Sequence, residues 1–218
     1  MPSLDRNGLA NRLKHVTAQE EIHAIIQELY ENGWLFDGSL RGINLEDANL
    51  EGTILRGADL QGARLYFAKL KNAELGGANL RGAWLQYADM EGAYLAGACL
   101  TGAGMHGSYL NESVLNGAEL QGADLAESDL QDCLVRGANF QGVNLAGKFQ
   151  HSYFEGTDFT GAIINGDFTG AVLTGALLSH ARFEYAFMPD GSQWTPDTDV
   201  ERFTNPKHPQ YFDPERRD

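Results

Sequence analysis

The groups in this 218-residue chain that could act on a substrate are six histidines, two cysteines and thirty carboxylates. An imidazole near neutral pH can serve as general acid, general base or metal ligand, and a thiol as nucleophile or metal ligand. Each of these roles needs partners at short, particular spacings. His15, His23, His106, His151, His180 and His208 lie in no nucleophile, metal or phosphate motif. Cys99 and Cys133 lack metal-type spacing and are too few for a disulfide framework. Strings of the GxxxxG kind occur, but none continues into the lysine and Ser or Thr of a phosphate-binding loop. These residues predict no catalytic centre, no metal and no cofactor, so the expected role is non-enzymatic.

Composition narrows the partners. Thirty acids against sixteen bases give a net charge of -14, which disfavours direct contact with nucleic acid or an anionic membrane. Charged residues are 21%, hydrophobic ones 43% and the mean hydropathy is -0.33, as in soluble globular chains of one or two folded units. No apolar stretch approaches the roughly 20 residues of a membrane span. The start, MPSLDRNGLANRLKHV, lacks a secretory apolar run, so a cytoplasmic location is expected. Twenty-six glycines beside six prolines are too many for a helical bundle.

The glycines follow a repeat. Leucine stands at 40, 45, 50, 55, 60, 65, 70, 75, 80 and 85, followed by Met90, Leu95, Leu100, Met105 and Leu110, and so on to Leu145. Period five fits neither the 3.6 of a helix nor the 2 of a strand. Around each central residue, i, the i-2 residue is small and i+2 is often glycine, as in ADLQG, ANLRG and AELQG. The register slips by one residue before Phe149 and again before Phe168, and the units run on to Met188, thirty-one in all. Nineteen of the i-2 residues are alanine, which predicts one large and one small inward column.

Over residues 38 to 188 the chain resembles the pentapeptide-repeat family, whose motif is A(D/N)Lxx. The resemblance implies an all-β solenoid, a right-handed quadrilateral β-helix of four units per coil and here about eight coils. Asn49, Asp59, Asn79, Asp89, Asp124 and Asn139 at i-1 are motif residues expected to bond local backbone. Glycine tests the four-fold count independently. At i+2 the first units carry glycine from Gly42 to Gly161 with His180 the exception, and the fourth units carry it from Gly57 to Gly175. Second and third units often do not. Glycine permits the positive φ of a type II turn, so type II corners are expected after faces one and four and a different turn after faces two and three. The two short units fall four units apart and should stack on face three. Phenylalanine replaces leucine from Phe140 onward, predicting an aromatic ladder in that end of the core.

Both ends depart from the repeat, which divides the chain into 1–33, 34–188 and 189–218. Ile22, Ile25, Ile26 and Leu29 make one face of a helix with Gly33 as its stop and Thr17 with Glu20 as a capping box. Leu9, Leu13 and Val16 suggest a shorter helix before it. This N-terminal segment reads as a helical cap or as a partner-binding helix. The proline-rich end, with Trp194, Phe203, Tyr211 and Phe212 as anchors, reads as an irregular C-terminal cap or as a disordered docking tail.

What remains for function is surface. Tyr66, Phe67, Trp84 and Tyr87 map to outward positions of face two on adjacent coils, with His106 on the next coil, while His151 and His180 fall on other faces. An exposed aromatic cluster marks a binding site unless the tail or a neighbour covers it or its rings merely stack along the corners. Glu112, Glu119, Asp124, Glu127, Asp129 and Asp132 crowd one coil's length with no base among them, all but Glu119 on faces two and three. Such a patch serves solubility or steers a basic partner. The sequence therefore predicts a protein–protein interaction scaffold of unknown partner. Self-association through the rod ends or the aromatic face is a further possibility. The alternative comes from family members of the quinolone-resistance type, acidic dimeric rods that imitate DNA and engage DNA gyrase. This chain departs from them in its ragged acidic band, its neutral first third and its proline-rich end.

Overall fold

The computed structural model describes residues 6–13, 16 and 18–215. In chain order they form α1 (Arg6–Leu13), α2 (Gln19–Glu31), β1 (Asn144–Leu145), β2 (Ile163–Ile164), β3 (Arg182–Phe183) and α3 (Glu201–Thr204). Between α2 and α3 the chain winds as a four-sided parallel β-helix. Successive coils pair at steps of 20 residues, from Asn44 with Arg64 up to Asp124 with Asn144. The step shortens to 19 from Asp129 with Lys148 and returns to 20 at Asp167 with Phe187. The sheet β1-β2-β3 is the second face where it is regular enough for two-residue strands.

The hydrogen bonds around one unit explain the motif. In the Leu45 unit, Leu45 N donates to Arg64 O one coil on, and Asp47 N to Tyr66 O. Ala48 N closes the turn on Leu45 O, and Arg64 N donates back to Ile43 O. The i+1 amide has no backbone acceptor, and Asn44 Oδ1 takes the bond from Glu46 N at 3.1 Å. The same side-chain bond is made by Asn49, Asp59, Asn79, Asp89, Asp124 and Asn139. A carboxylate or amide oxygen at i-1 thus satisfies the i+1 donor of these units, as expected from the sequence.

The corners correct one expectation. Positive φ occurs at i+2 after all four faces, including Asp47, Phe67, Tyr87 and Glu127 after face two and Asn72, Glu112, Asp132 and His151 after face three. Stacking imposes one turn on the corners after all four faces wherever the units keep their full length, because i+2 must aim its N–H at the carbonyl of the coil above whatever its side chain. The left-handed conformation costs a non-glycine residue about 1–2 kcal/mol, and the ladder outweighs it. Gly147 and Gly166 escape the left-handed turn where the chain drops a residue.

Inside, leucines and alanines from Leu45 to Ala162 are buried in two columns. The short units stack as expected: Phe149 lies on Phe168 with ring centroids 4.8 Å apart and planes 19° apart. Phe140, Phe154 and Phe159 complete the buried ladder, whereas Phe183 is only partly buried and stacks on Trp194. Six buried hydroxyl residues, Thr53, Ser108, Ser113, Ser128, Ser152 and Thr157, line the small column, and Cys133, whose thiol burial pushes up to about 12, donates to Leu110 O. Both cysteines are free. Replacing Ala83, fully buried, by leucine should overpack the small column and cost about 1–3 kcal/mol, read as a lower thermal midpoint; an unchanged midpoint would show that the column has spare room.

α2 buries Ile22, Ile25, Ile26 and Leu29 in a cluster continuous with Leu35, Leu40 and Leu45, and Leu9 and Leu13 of α1 join it. Gly33, at φ 73°, ends α2 with Gly33 N on Tyr30 O and Trp34 N on Leu29 O, the paired bonds of a Schellman stop. Thr17 of the expected capping box lies outside the described residues, and the N-cap of α2 is Ala18, which makes no side-chain cap bond. After Met188 the chain turns back, Phe187 pairing antiparallel with Gln193. Gly175 N donates to Thr204 O, Tyr211 meets Thr174, and Phe203 is buried against Phe212.

Candidate functional site

The second face carries three outward columns. The i-1 column runs Arg64, Trp84, Gly104, Asp124 through its ladder pairs. The corner columns beside it hold Tyr66, Gln86 and His106 at i+1 and Phe67, Tyr87, Gly107 and Glu127 at i+2. Large rings on two coils are followed by two glycines on the next. The reason is steric: a Cβ on Gly107 would lie 2.5 Å from the Tyr87 ring, and one on Gly104 would lie 2.4 Å from Gln86 Nε2. The side chains of the Trp84 coil lean over the coil above.

The predicted aromatic residues meet. Phe67 and Tyr87 stack with centroids 5.3 Å apart and planes 9° apart. Tyr66 meets Trp84 edge-on at 5.5 Å, and His106 meets Tyr87 edge-on at 5.6 Å. Phe67, Trp84 and Tyr87 remain 53%, 46% and 43% exposed, while Tyr66 and His106 are partly buried. Neither the C-terminal segment nor the helices make a ring contact with the cluster among the described residues. Arg64, which sequence reasoning did not include, holds the lower end, 5.7 Å over the Trp84 ring and 3.5 Å from Glu46.

The acids divide. Glu127 joins the cluster, its Oε2 3.6 Å from His106 Nε2. Asp124 continues the Trp84 column beyond Gly104 and accepts from Ala126 N. Asp129, on face three, meets Lys148 of the next coil at 3.0 Å, a base too far along the chain to be paired with it by inspection. Partial burial would push the Asp129 carboxyl up, but hydrogen bonds from Gln131 and Lys148 outweigh it and hold the group below its ordinary value. Glu112 and Asp132 stand apart from the aromatic cluster, at the far corner of face three. Between the two corners stands Tyr109, 53% exposed and also missed. Its signal in the sequence is an aromatic at i-1, the position that Trp84 occupies on face two. Among the described residues no group of His, Cys, Asp and Glu is placed to hold a metal, and no helix is long and apolar enough to cross a membrane.

The profile of the family described as pentapeptide repeats matches eight copies over residues 39–77, 73–111, 105–142 and 118–166. The chain belongs to the pentapeptide-repeat family. Its fold is accordingly the right-handed quadrilateral β-helix of that family. Among solved structures it is similar to HetL, a pentapeptide repeat protein involved in heterocyst differentiation regulation from the cyanobacterium Nostoc sp. strain PCC 7120. That match has 31% identity, covers 69% of this chain and 76% of HetL, and has a TM-score of 0.30. It is similar to trypsin-treated QnrB1, a plasmid-mediated fluoroquinolone resistance protein, at 20% identity over 67% of this chain and 73% of that one, TM-score 0.51. A pentapeptide repeat protein of the Arabidopsis thaliana thylakoid lumen shares 30% identity over 49% of this chain and 70% of its own, TM-score 0.27. No curated protein matches the chain.

Proposed function

We propose that this pentapeptide-repeat protein is a non-enzymatic scaffold whose second face binds another protein. The observation that carries the reading is the cluster of Tyr66, Phe67, Trp84 and Tyr87, rings fixed against one another on two adjacent coils, with Phe67, Trp84 and Tyr87 left exposed. Apolar rings held rigid before binding lose little conformational freedom on contact, which is why such residues dominate binding energy at interfaces. Glu127 and Asp124, on the same face, extend the surface with charge. In this reading the rod of nearly eight coils, residues 34–188, supports the surface. The described residues of the 1–33 segment cover the first coil and those of the 189–218 segment the last, which shields both open edges from pairing. The protein works in the cytoplasm.

The gyrase-binding alternative finds less support, because the acids do not line up as phosphates would: the corner column reads Asp47, Phe67, Tyr87, Gly107, Glu127. A pull-down from the native host, comparing wild type with Trp84→Ala plus Tyr87→Ala, tests the scaffold. Loss of a specific partner with unchanged thermal midpoint is expected; an identical set of partners would reject this face.

A further inference from the structure

We infer that the surface extends around the corner onto the third face, with Tyr109 at its centre, and that the partner it fits is a protein segment carrying lysine or arginine beside an apolar anchor. The inference rests on the scaffold reading and adds the chemistry of the partner. Tyr109 pairs through its backbone with Asp89 on the coil below and Asp129 on the coil above. On its left the Tyr87 ring lies over Gly107, so that Phe67, Tyr87 and Tyr109 present apolar surface on both sides of one corner. On its right stands Glu112, and on the coil above are Glu127 and Asp132, all three exposed. Bases meet Asp129 and Glu91 from neighbouring coils. Glu112 and Asp132 have no ion-pair partner among the described residues. An anchor on the rings would therefore have uncompensated carboxylates within a coil or two, a spacing of about 5–10 Å that an extended segment covers in two or three residues. A cationic side chain gains there from the carboxylates and from the tyrosine face together.

The corners add a second observation. Nine of the ten non-glycine left-handed residues flank the third face, and His180 alone lies elsewhere. Glycine would occupy those corners without strain, as it does after faces one and four. Side chains are kept around this face at the expense of stability, which is the pattern of residues held for contact.

The test uses the full chain and two synthetic twelve-residue peptides that share one leucine anchor, one bearing lysines and the other glutamates at alternate positions. Calorimetric titration should show the lysine peptide binding at least tenfold tighter than the glutamate peptide, with affinity falling as salt is raised. Tyr109→Ala should weaken it at least tenfold. Glu112→Gly with Asp132→Gly should do the same while the thermal midpoint stays level or rises. Equal binding of the two peptides, or no effect of either variant, overturns the inference. So does a dimer in light scattering that Tyr109→Ala dissolves, which would assign the face to a second copy. If the host partner is lost with Trp84→Ala plus Tyr87→Ala yet kept when Glu112 and Asp132 become glycine, the scaffold stands and the basic partner falls.

Discussion

Gly147→Ala should be among the most damaging single-methyl additions available to this chain. A Cβ there would lie 2.2 Å from the carbonyl oxygen of Ser128 and 3.2 Å from its carbon and nitrogen. The obstacle is backbone, and that carbonyl already accepts Lys148 N at 3.0 Å, so it cannot retreat without opening the ladder between the two coils. We expect a loss of about 3 kcal/mol or more, a fall in thermal midpoint of roughly 6–12 °C for a chain of this size. Gly142→Ala is the comparison. Its φ is 65° and nothing lies within 4 Å of the added Cβ, so only the left-handed penalty of about 1–2 kcal/mol applies. Equal midpoints for the two variants would mean that the short unit has room the geometry denies. Gly166, whose Cβ would meet the Phe149 ring at 2.5 Å and Gly147 O at 2.8 Å, belongs to the same class. Each short unit brings the wall inward by one residue, and only glycine fits between stacked backbones there.

Phe154→Ala should cost about 3–5 kcal/mol. Phe154 is fully buried, and its ring centroid lies 5.4 Å from that of Phe159, 5.6 Å from Phe168, 6.2 Å from Phe140 and 6.3 Å from Phe149. Removing it empties the middle of the ladder, and the neighbours cannot close the gap because each is tied to its own coil by parallel hydrogen bonds. Contacts in a stacked array run between neighbouring coils, so the loss should be local before it is global. Amide exchange should rise first between Phe140 and Phe168 while the Leu60 to Leu100 coils stay protected. Uniform deprotection at the wild-type rate ratio would contradict this and show that the rod melts as a single unit.

Much of the architecture was legible because the repeat is a direct record of geometry. A side chain every five residues can point inward only if the chain turns a corner between them. Gly42 to Gly161 and Gly57 to Gly175, sorted by four, gave the number of corners, and the slips before Phe149 and Phe168 gave the place where coils shorten. The outward positions followed, which is why Phe67, Trp84 and Tyr87 could be assembled into one cluster before their rings were seen to touch. The left-handed corners at Phe67 and Tyr87 were not legible. Local preference argues against that conformation for an aromatic residue, and it is overruled by hydrogen bonds to a residue about twenty positions away.

The sequence alone determined the coil, its four walls, which residues face inward and which face each wall, since these depend only on period and on residue size. Tertiary structure decided what stands beside what on the surface: Lys148 against Asp129, Arg64 over Trp84, Tyr87 across Gly107 and Tyr109 between two acidic corners. Those contacts join coils through side chains whose reach and lean are not encoded in the spacing of the repeat, and they exist only once the walls are stacked.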